Sequence, residues 1–412
     1  MHESNVRVRG ERLLADLAAL ARIGATPEGG VNRPAYSDAD LEARQIVRAW
    51  MRDAGLAVRV DTAGNTFGRR EGADSSAPPI VIGSHTDSVP QGGRFDGALG
   101  VLAAIEVART VRDAGIRLTH PLEVVDFQNE EGGLVGSKIV AGRFERDALA
   151  LKATSGRTIE AGIALLGGDP SRLDDARRLP GSIAGYLELH IEQGRVLERA
   201  GADIGVVEGL VGIRYWEVTF TGVASHAGTT PMADRHDALV AAARFVSMVP
   251  AIVTSTPGRQ VGTVGRLAVF PGGANVIPGK VVLTLELRDL DLAKVGELFS
   301  AIEREAHAIA AATGTTVSLE PTHTNDPSPT DPIIQQAVAN AARTLGLRSH
   351  AMPSGAGHDA QNMATIGPAG MLFVPSVNGI SHSPLERTED HDVVNGVNVL
   401  LAAVLELDRT LS

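Results

Sequence analysis

PIVIGSHTDSVPQGGRFDGALGVLAAIEVARTVRDAG, residues 79–115, opens on a compact apolar run and crosses a polar loop carrying His85, Asp87 and Asp96. It closes on an apolar helix ended by Gly115. A second apolar run, PLEVVDF (121–127), follows at once. A buried strand, a helix and another buried strand predict an α/β domain whose mostly parallel central sheet is covered on both faces. In sheets of that kind ligands sit beyond the carboxyl ends of the strands, which is where His85 falls.

Working outward, three more segments end apolar runs with metal-ligating side chains: VVDFQNEEGG (124–133), YLELHIEQG (186–194) and VNGISHSPLE (377–386). With the first they offer His85, Asp87, Asp96, Glu130, Glu131, His190, Glu192 and His382. Each has a plainer reading alone: Asp96-Gly97 suits a helix N-cap, and paired glutamates often mark a solvated turn. Two like charges at the end of a buried strand, however, cost free energy unless a cation neutralises them. The four segments together predict a site of N and O ligands for a hard or borderline divalent cation. Asp87 is placed to hold the His85 ring, and one glutamate would ligate while its neighbour stays free as a general base.

The 412 residues exceed one ordinary core, so two domains are expected. A net charge of −11 argues against a nucleic-acid footprint or an anionic membrane surface. The absence of cysteine excludes disulfides and thiolate chemistry and fits a reducing cytoplasm. The charged stretch MHESNVRVRGERLLADLAALARIG does not read as a secretory leader, and no window reads as long and apolar enough to span a bilayer. The expectation is a soluble cytoplasmic protein.

Near residue 212 the pattern changes to strict alternation. RYWEVTFTGVA (214–224) puts Trp216, Val218 and Phe220 on one face; VGTVGRLAVF (261–270) and KVVLTLELRDL (280–290) follow, with helices at about 234–248 and 291–312. That predicts a small inserted α+β sandwich over 212–329, returning through TNDPSPTDP (324–332) to a discontinuous main domain, 1–211 with 330–412.

GSHTDSVPQGGRFDGALGV, NEEGG, LELHIEQG, SHAGTTPM, SGAGHDAQ and FVPSVNGISHSPLE together resemble the hydantoinase/carbamoylase family. This is the N-carbamoyl-L-amino-acid hydrolase and allantoate amidohydrolase branch of the dinuclear-zinc peptidase and aminoacylase superfamily. The resemblance implies a zinc-exopeptidase-like catalytic domain with an inserted lid and dimerisation domain. It also implies two divalent cations, zinc first, with manganese, cobalt or nickel as alternatives. Asp96 would bridge them; His85 and His190 would complete one site, Glu131 and His382 the other, with Glu130 as the base. His226 would stabilise the oxyanion across a homodimer. Asn275 and Arg288 would bind the substrate, a small ureido acid, with Gln193 and Gly357 as further contacts. His358 and Asp359 are motif members to which no role is given. Where the family often continues Gly-Ser-Arg-Phe after the glutamates, this chain reads Gly132-Gly133-Leu134-Val135, so substrate identity is the least constrained expectation.

Overall fold

A computed structural model describes residues 6–411. Its strands, in chain order, are β1 Ala57–Val60, β2 Thr66–Arg70, β3 Ile80–His85, β4 Leu122–Phe127, β5 Gly185–Ile191, β6 Ile204–Leu210, β7 Gly212–Thr221 and β8 Ser225–His226. Then come β9 Val261–Phe270, β10 Val276–Ile277, β11 Lys280–Asp289, β12 Thr316–Asn325, β13 Ser328–Pro329, β14 Ser349–Ser354 and β15 Ala369–Val374. The chain divides into two compact units, Met1–Glu208 with Thr330–Ser412, and Gly209–Pro329.

In the first unit the sheet runs β1-β2-β4-β3-β5-β15-β6. Its centre, β4-β3-β5-β15, is parallel. Strands β1, β2 and β6 add antiparallel margins. The four parallel strands are buried along their whole length, as expected of strands covered by helices on both faces. The helices Asp38–Asp53, Ala98–Asp113, Pro332–Thr344 and Asp390–Thr410 pack Val47, Met51, Val101, Val338, Leu400 and Val404 into that core. Ser37 caps the first of them by accepting from Asp40 N. Because the central strands run the same way, their carboxyl ends deliver His85, the Glu130–Glu131 pair and His190 to one edge of the sheet.

The second unit is a four-stranded antiparallel sheet, β12-β7-β11-β9. The predicted face of Trp216, Val218 and Phe220 is buried against helices Ala238–Ser255 and Leu292–Thr313. The first division falls at Glu208–Gly209, where Gly209 and Leu210, the end of β6, pair with Pro329 and Ser328 of the second unit. Three expectations need correction here. The helix expected at about 234–248 spans Ala238–Ser255: Asp237 caps it by accepting from Leu239 N and Val240 N, and it continues through Pro250. That helix is also long and apolar enough to cross a membrane by composition, contrary to the sequence reading. Its Ala241, Ala242, Phe245 and Val249 nevertheless form the core of this unit. The segment 324–332 is less of a free linker than its composition suggests, since Ser328 and Pro329 pair with Leu210 and Gly209.

Candidate metal centre

Strand β3 ends at His85, which is 1% exposed. Its Nδ1 lies 3.0 Å from the Asp87 carbonyl oxygen. On the neighbouring strand, His190 near the end of β5 does the same, with Nδ1 2.9 Å from Ile191 O. A ring nitrogen held by a carbonyl carries the proton, so both imidazoles turn Nε2 inward; that of His190 lies 3.2 Å from Gly97 N. Asp96 receives them: its Oδ1 is 3.1 Å from His190 Nε2 and 3.9 Å from His85 Nε2. Its Oδ2 faces the other way, 3.2 Å from His382 Nε2. His382 in turn stands 3.5 Å from Glu131 Oε1. One carboxylate thus shares its two oxygens between two ligand sets, His85–Asp96–His190 and Asp96–Glu131–His382, each with its donor atoms within 4.8 Å of one another.

Local backbone explains the convergence. Gly97 has φ of +63°, and a Cβ there would sit 2.2 Å from the His85 ring, so only glycine lets the helix begin directly beside the histidine. Asn129, Gln193 and His382 are non-glycine residues at φ of +51°, +59° and +53°. Such left-handed conformations are uncommon outside functional turns. Asp87 does less for the His85 ring than its spacing suggested. Its carboxylate is 3.7 Å from Nδ1 and instead accepts from Glu130 N and Glu131 N at 3.2 and 3.3 Å. The ring is held by Asp87's own carbonyl, while the side chain anchors the paired glutamates.

The donor set fits a divalent cation. Glu131 Oε1 is buried without a hydrogen-bond partner. Burial, with the Asp96 charge next, pushes the Glu131 carboxyl up to about 8. Burial, Asp359 and Glu131 hold Glu130 well above the ordinary carboxyl range. Burial drives the His85 imidazole down to about 3, keeping it a neutral donor. Buried carboxylates held this close want a positive charge between them.

Other sequence candidates divide. Glu192 does not join the cluster; it accepts from Val196 N and Leu197 N at 2.6 and 2.9 Å and starts a helix. Gln193 donates from Nε2 to Asp96 Oδ2 at 2.8 Å. Gly357 precedes His358, whose buried ring packs 4.4 Å from that of His190. In the second unit His226 pairs with Val276, and Asn275 O accepts from Ala227 N, so these two candidates are neighbours. Arg288 is paired with Glu286, the plainer partner that its spacing on β11 allows.

Sequence reading overlooked the groups that brace these ligands. Glu188, two residues before His190 on a buried strand, accepts from Ser84 Oγ, Tyr186 OH and Ala360 N. A carboxylate in the middle of LELHI was the available signal. Arg44, fully buried, bonds Asp40 Oδ1 at 2.9 Å and Phe127 O at 2.6 Å, and pairs with Asp126 at 3.1 Å. Asp126 also accepts from Thr86 Oγ1, so the network ties the ends of β3 and β4 together. Arg44→Met is expected to destabilise the fold by about 3–5 kcal/mol, because two buried carboxylates lose their cation. Chemical denaturation measures this; a loss under about 1 kcal/mol would refute the bracing role.

A parallel-centred sheet with histidines and carboxylates gathered at its strand ends, in a donor set fitted to divalent cations, defines a metal-type hydrolase fold. The chain belongs to peptidase family M20/M25/M40, whose family model matches residues 81–406, and within it to the hydantoinase/carbamoylase amidases. It is 41% identical over 405 residues, covering 97% of this chain and 99% of the relative, to the N-carbamoyl-L-amino acid amidohydrolase of Geobacillus stearothermophilus. It is 35% identical to the ureidoglycolate hydrolase of Arabidopsis thaliana, covering 98% of this chain and 88% of that one. A hydantoinase/carbamoylase family amidase from Burkholderia ambifaria superposes with a TM-score of 0.91 at 41% identity, over 98% of each chain. Aminopeptidase PepT from Bacillus cereus, at 17% identity and a TM-score of 0.66, shares the fold. The chain is therefore an amidohydrolase.

Proposed function

We propose that this amidohydrolase cleaves the carbamoyl C–N bond of an N-carbamoyl-L-amino acid, yielding the amino acid, carbon dioxide and ammonia. The observation that carries the reading is end-to-end similarity, at 38–41% identity, to four relatives each named for that activity. His85 and His190 would hold one divalent cation, Glu131 and His382 a second, with Asp96 between; Zn²⁺ comes first, and Mn²⁺, Co²⁺ or Ni²⁺ suit the same donors. Such a pair of ions, when bound, acidifies water and polarises the substrate oxygen.

The residues of the chain do the rest. Glu130, anchored by its backbone on Asp87, takes the proton of the attacking water and passes it to the departing nitrogen. His226 Nδ1 accepts from Gly228 N and Thr229 N at 3.0 and 3.2 Å. Its proton therefore sits on Nε2, ready to donate to a developing oxyanion. Arg288 offers a planar fork to the substrate carboxylate, with Asn275, Gln193 and Gly357 as further contacts.

The register of the lid sheet supports a homodimer. Lys280 pairs with Thr221 and Arg288 with Ile213, at opposite ends of β7 and β11. Those eight steps span about 27 Å, far longer than a small ureido acid, and His226 lies beyond the Thr221 end. One copy would then supply Arg288 and a second copy His226 and Asn275. A chain without cysteine suits the cytoplasm, where we place it.

A second reading rests on the ureidoglycolate hydrolases of Arabidopsis thaliana and rice, 35% and 34% identical; those names also describe ureido acids. Ammonia release distinguishes the two. The chelated and Zn²⁺-, Mn²⁺- or Co²⁺-supplemented protein would be given N-carbamoyl-L- and D-amino acids, β-ureidopropionate, allantoate and ureidoglycolate. Chelator-sensitive release from an L-carbamoyl substrate is expected. Release from ureidoglycolate or allantoate alone would select the second reading, and release from none would point to an acyl amide.

A further inference from the structure

Glu386 closes the segment GISHSPLE, and only 6% of it is exposed. Its Oε1 accepts from Phe95 N at 2.8 Å and from Asp96 N at 3.1 Å. Its Oε2 accepts from Ser381 Oγ at 2.9 Å, and that hydroxyl also lies 3.0 Å from Asp96 Oδ2. One carboxylate therefore ties the loop bearing Asp96 to the loop bearing His382, 290 residues apart from Asp96 to Glu386. The chain makes room for it: a Cβ on Gly93 would fall 1.9 Å from Glu386 Cδ. The His382 loop needs such a tether, because the histidine itself is half exposed and stands at φ of +53°. His85 and His190, by contrast, are buried at strand ends with their rings fixed by backbone carbonyls.

We propose that Glu386 is a positioning residue that fixes His382 relative to Asp96 and thereby sets the affinity of the Asp96–Glu131–His382 ligand set for its cation, leaving the His85–Asp96–His190 set largely independent of it. The inference rests on the two-cation reading given above. A carboxylate is needed, and an amide is only half a substitute. A glutamine oxygen can still accept from Phe95 N and Asp96 N, but its NH₂ cannot accept from Ser381. The NH₂ would instead donate to the Ser381 oxygen, leaving that hydroxyl's single proton to Asp96 Oδ2, and the loop would lose the charged acceptor that Glu386 supplies.

The test is calorimetric titration of the chelated full chain with Co²⁺, following the visible absorption of the bound ion in parallel. Wild-type protein is expected to bind in two steps. Glu386→Ala should weaken one step by about 10–100-fold, the usual scale for losing a partner that orients a ligand, and leave the other within about threefold. Glu386→Gln should fall between. Gly93→Ala keeps the carboxylate but displaces it, and should weaken the same step; it also carries the test if Glu386→Ala does not fold. Two unchanged steps in these variants would overturn the inference. So would an equal loss in both steps, which would make Glu386 a general support of the fold. A wild-type chain that takes up fewer than two ions would instead fail the two-cation reading itself.

Discussion

Glu130→Gln is expected to lower kcat by about 10²–10⁴-fold, the range a positioned general base contributes, while cation binding stays at the wild-type level. The substitution changes little else. Glutamine has the same shape, and the backbone N–H of residue 130 still reaches Asp87 Oδ1. Glu130 Oε2 lies 3.7 Å from His85 Nε2, close enough to serve the ligand sphere without being in either ligand set. What is lost is the ability to take a proton and return it. Steady-state ammonia release, read together with metal content, separates this from a ligand defect. If kcat stays within about tenfold of wild type, Glu130 is not the base, and Asp359, buried nearby with its carboxyl pushed well up by burial and Glu188, is the next carboxylate to test.

The parts of this molecule that could be read in advance are those whose signal is local. PIVIGSH and PLEVVDF are apolar at every position because β3 and β4 are buried on both faces, and no half-solvated strand would look like that. The alternation of Trp216, Val218 and Phe220 likewise follows from a sheet with one covered face. His85 and His190 were legible because each stands where an apolar run meets polar residues. Glu188 and Glu192 flank His190 symmetrically, yet only one supports it. The strand ends at Ile191 and Gln193 turns at φ of +59°, so the alternation that would bring Glu192 to the same face stops one residue too soon. The turn is set by contacts of Gln193 with Ser376 and Asp96, far away in sequence. Asp87, Arg44 and Glu386 were misread or passed over for the same reason. The partners that matter to the site, Glu130 N for Asp87, Phe127 O for Arg44 and Asp96 N for Glu386, lie 43, 83 and 290 residues away, and spacing along the chain carries no trace of them.

Asp96→Asn should be more damaging still to the cation site. The aspartate presents one oxygen to His190 and the other to His382. Its carboxyl is held far below the usual range, since bonds from both histidines outweigh the opposing effect of burial. Asparagine has a single carbonyl oxygen and no charge, so it can face one ligand set but not both, and its NH₂ would be turned towards a cation or a histidine. Gln193 Nε2, which now donates to Oδ2, would meet another donor if the NH₂ pointed that way. Affinity for at least one cation should drop by more than the roughly 10–100-fold typical of losing an outer partner, and ammonia release should fall to the level of the chelated enzyme. Metal analysis after dialysis, with Co²⁺ titration of the chelated variant, measures it. Asp96 has its own backbone N–H held by Glu386, which asparagine keeps, so the loop should stay in place and the deficit should lie in the ligand itself. If Asp96→Asn retained two cations at wild-type affinity, the shared-carboxylate arrangement would be wrong, and the two ligand sets would have to act as separate sites, each complete without residue 96.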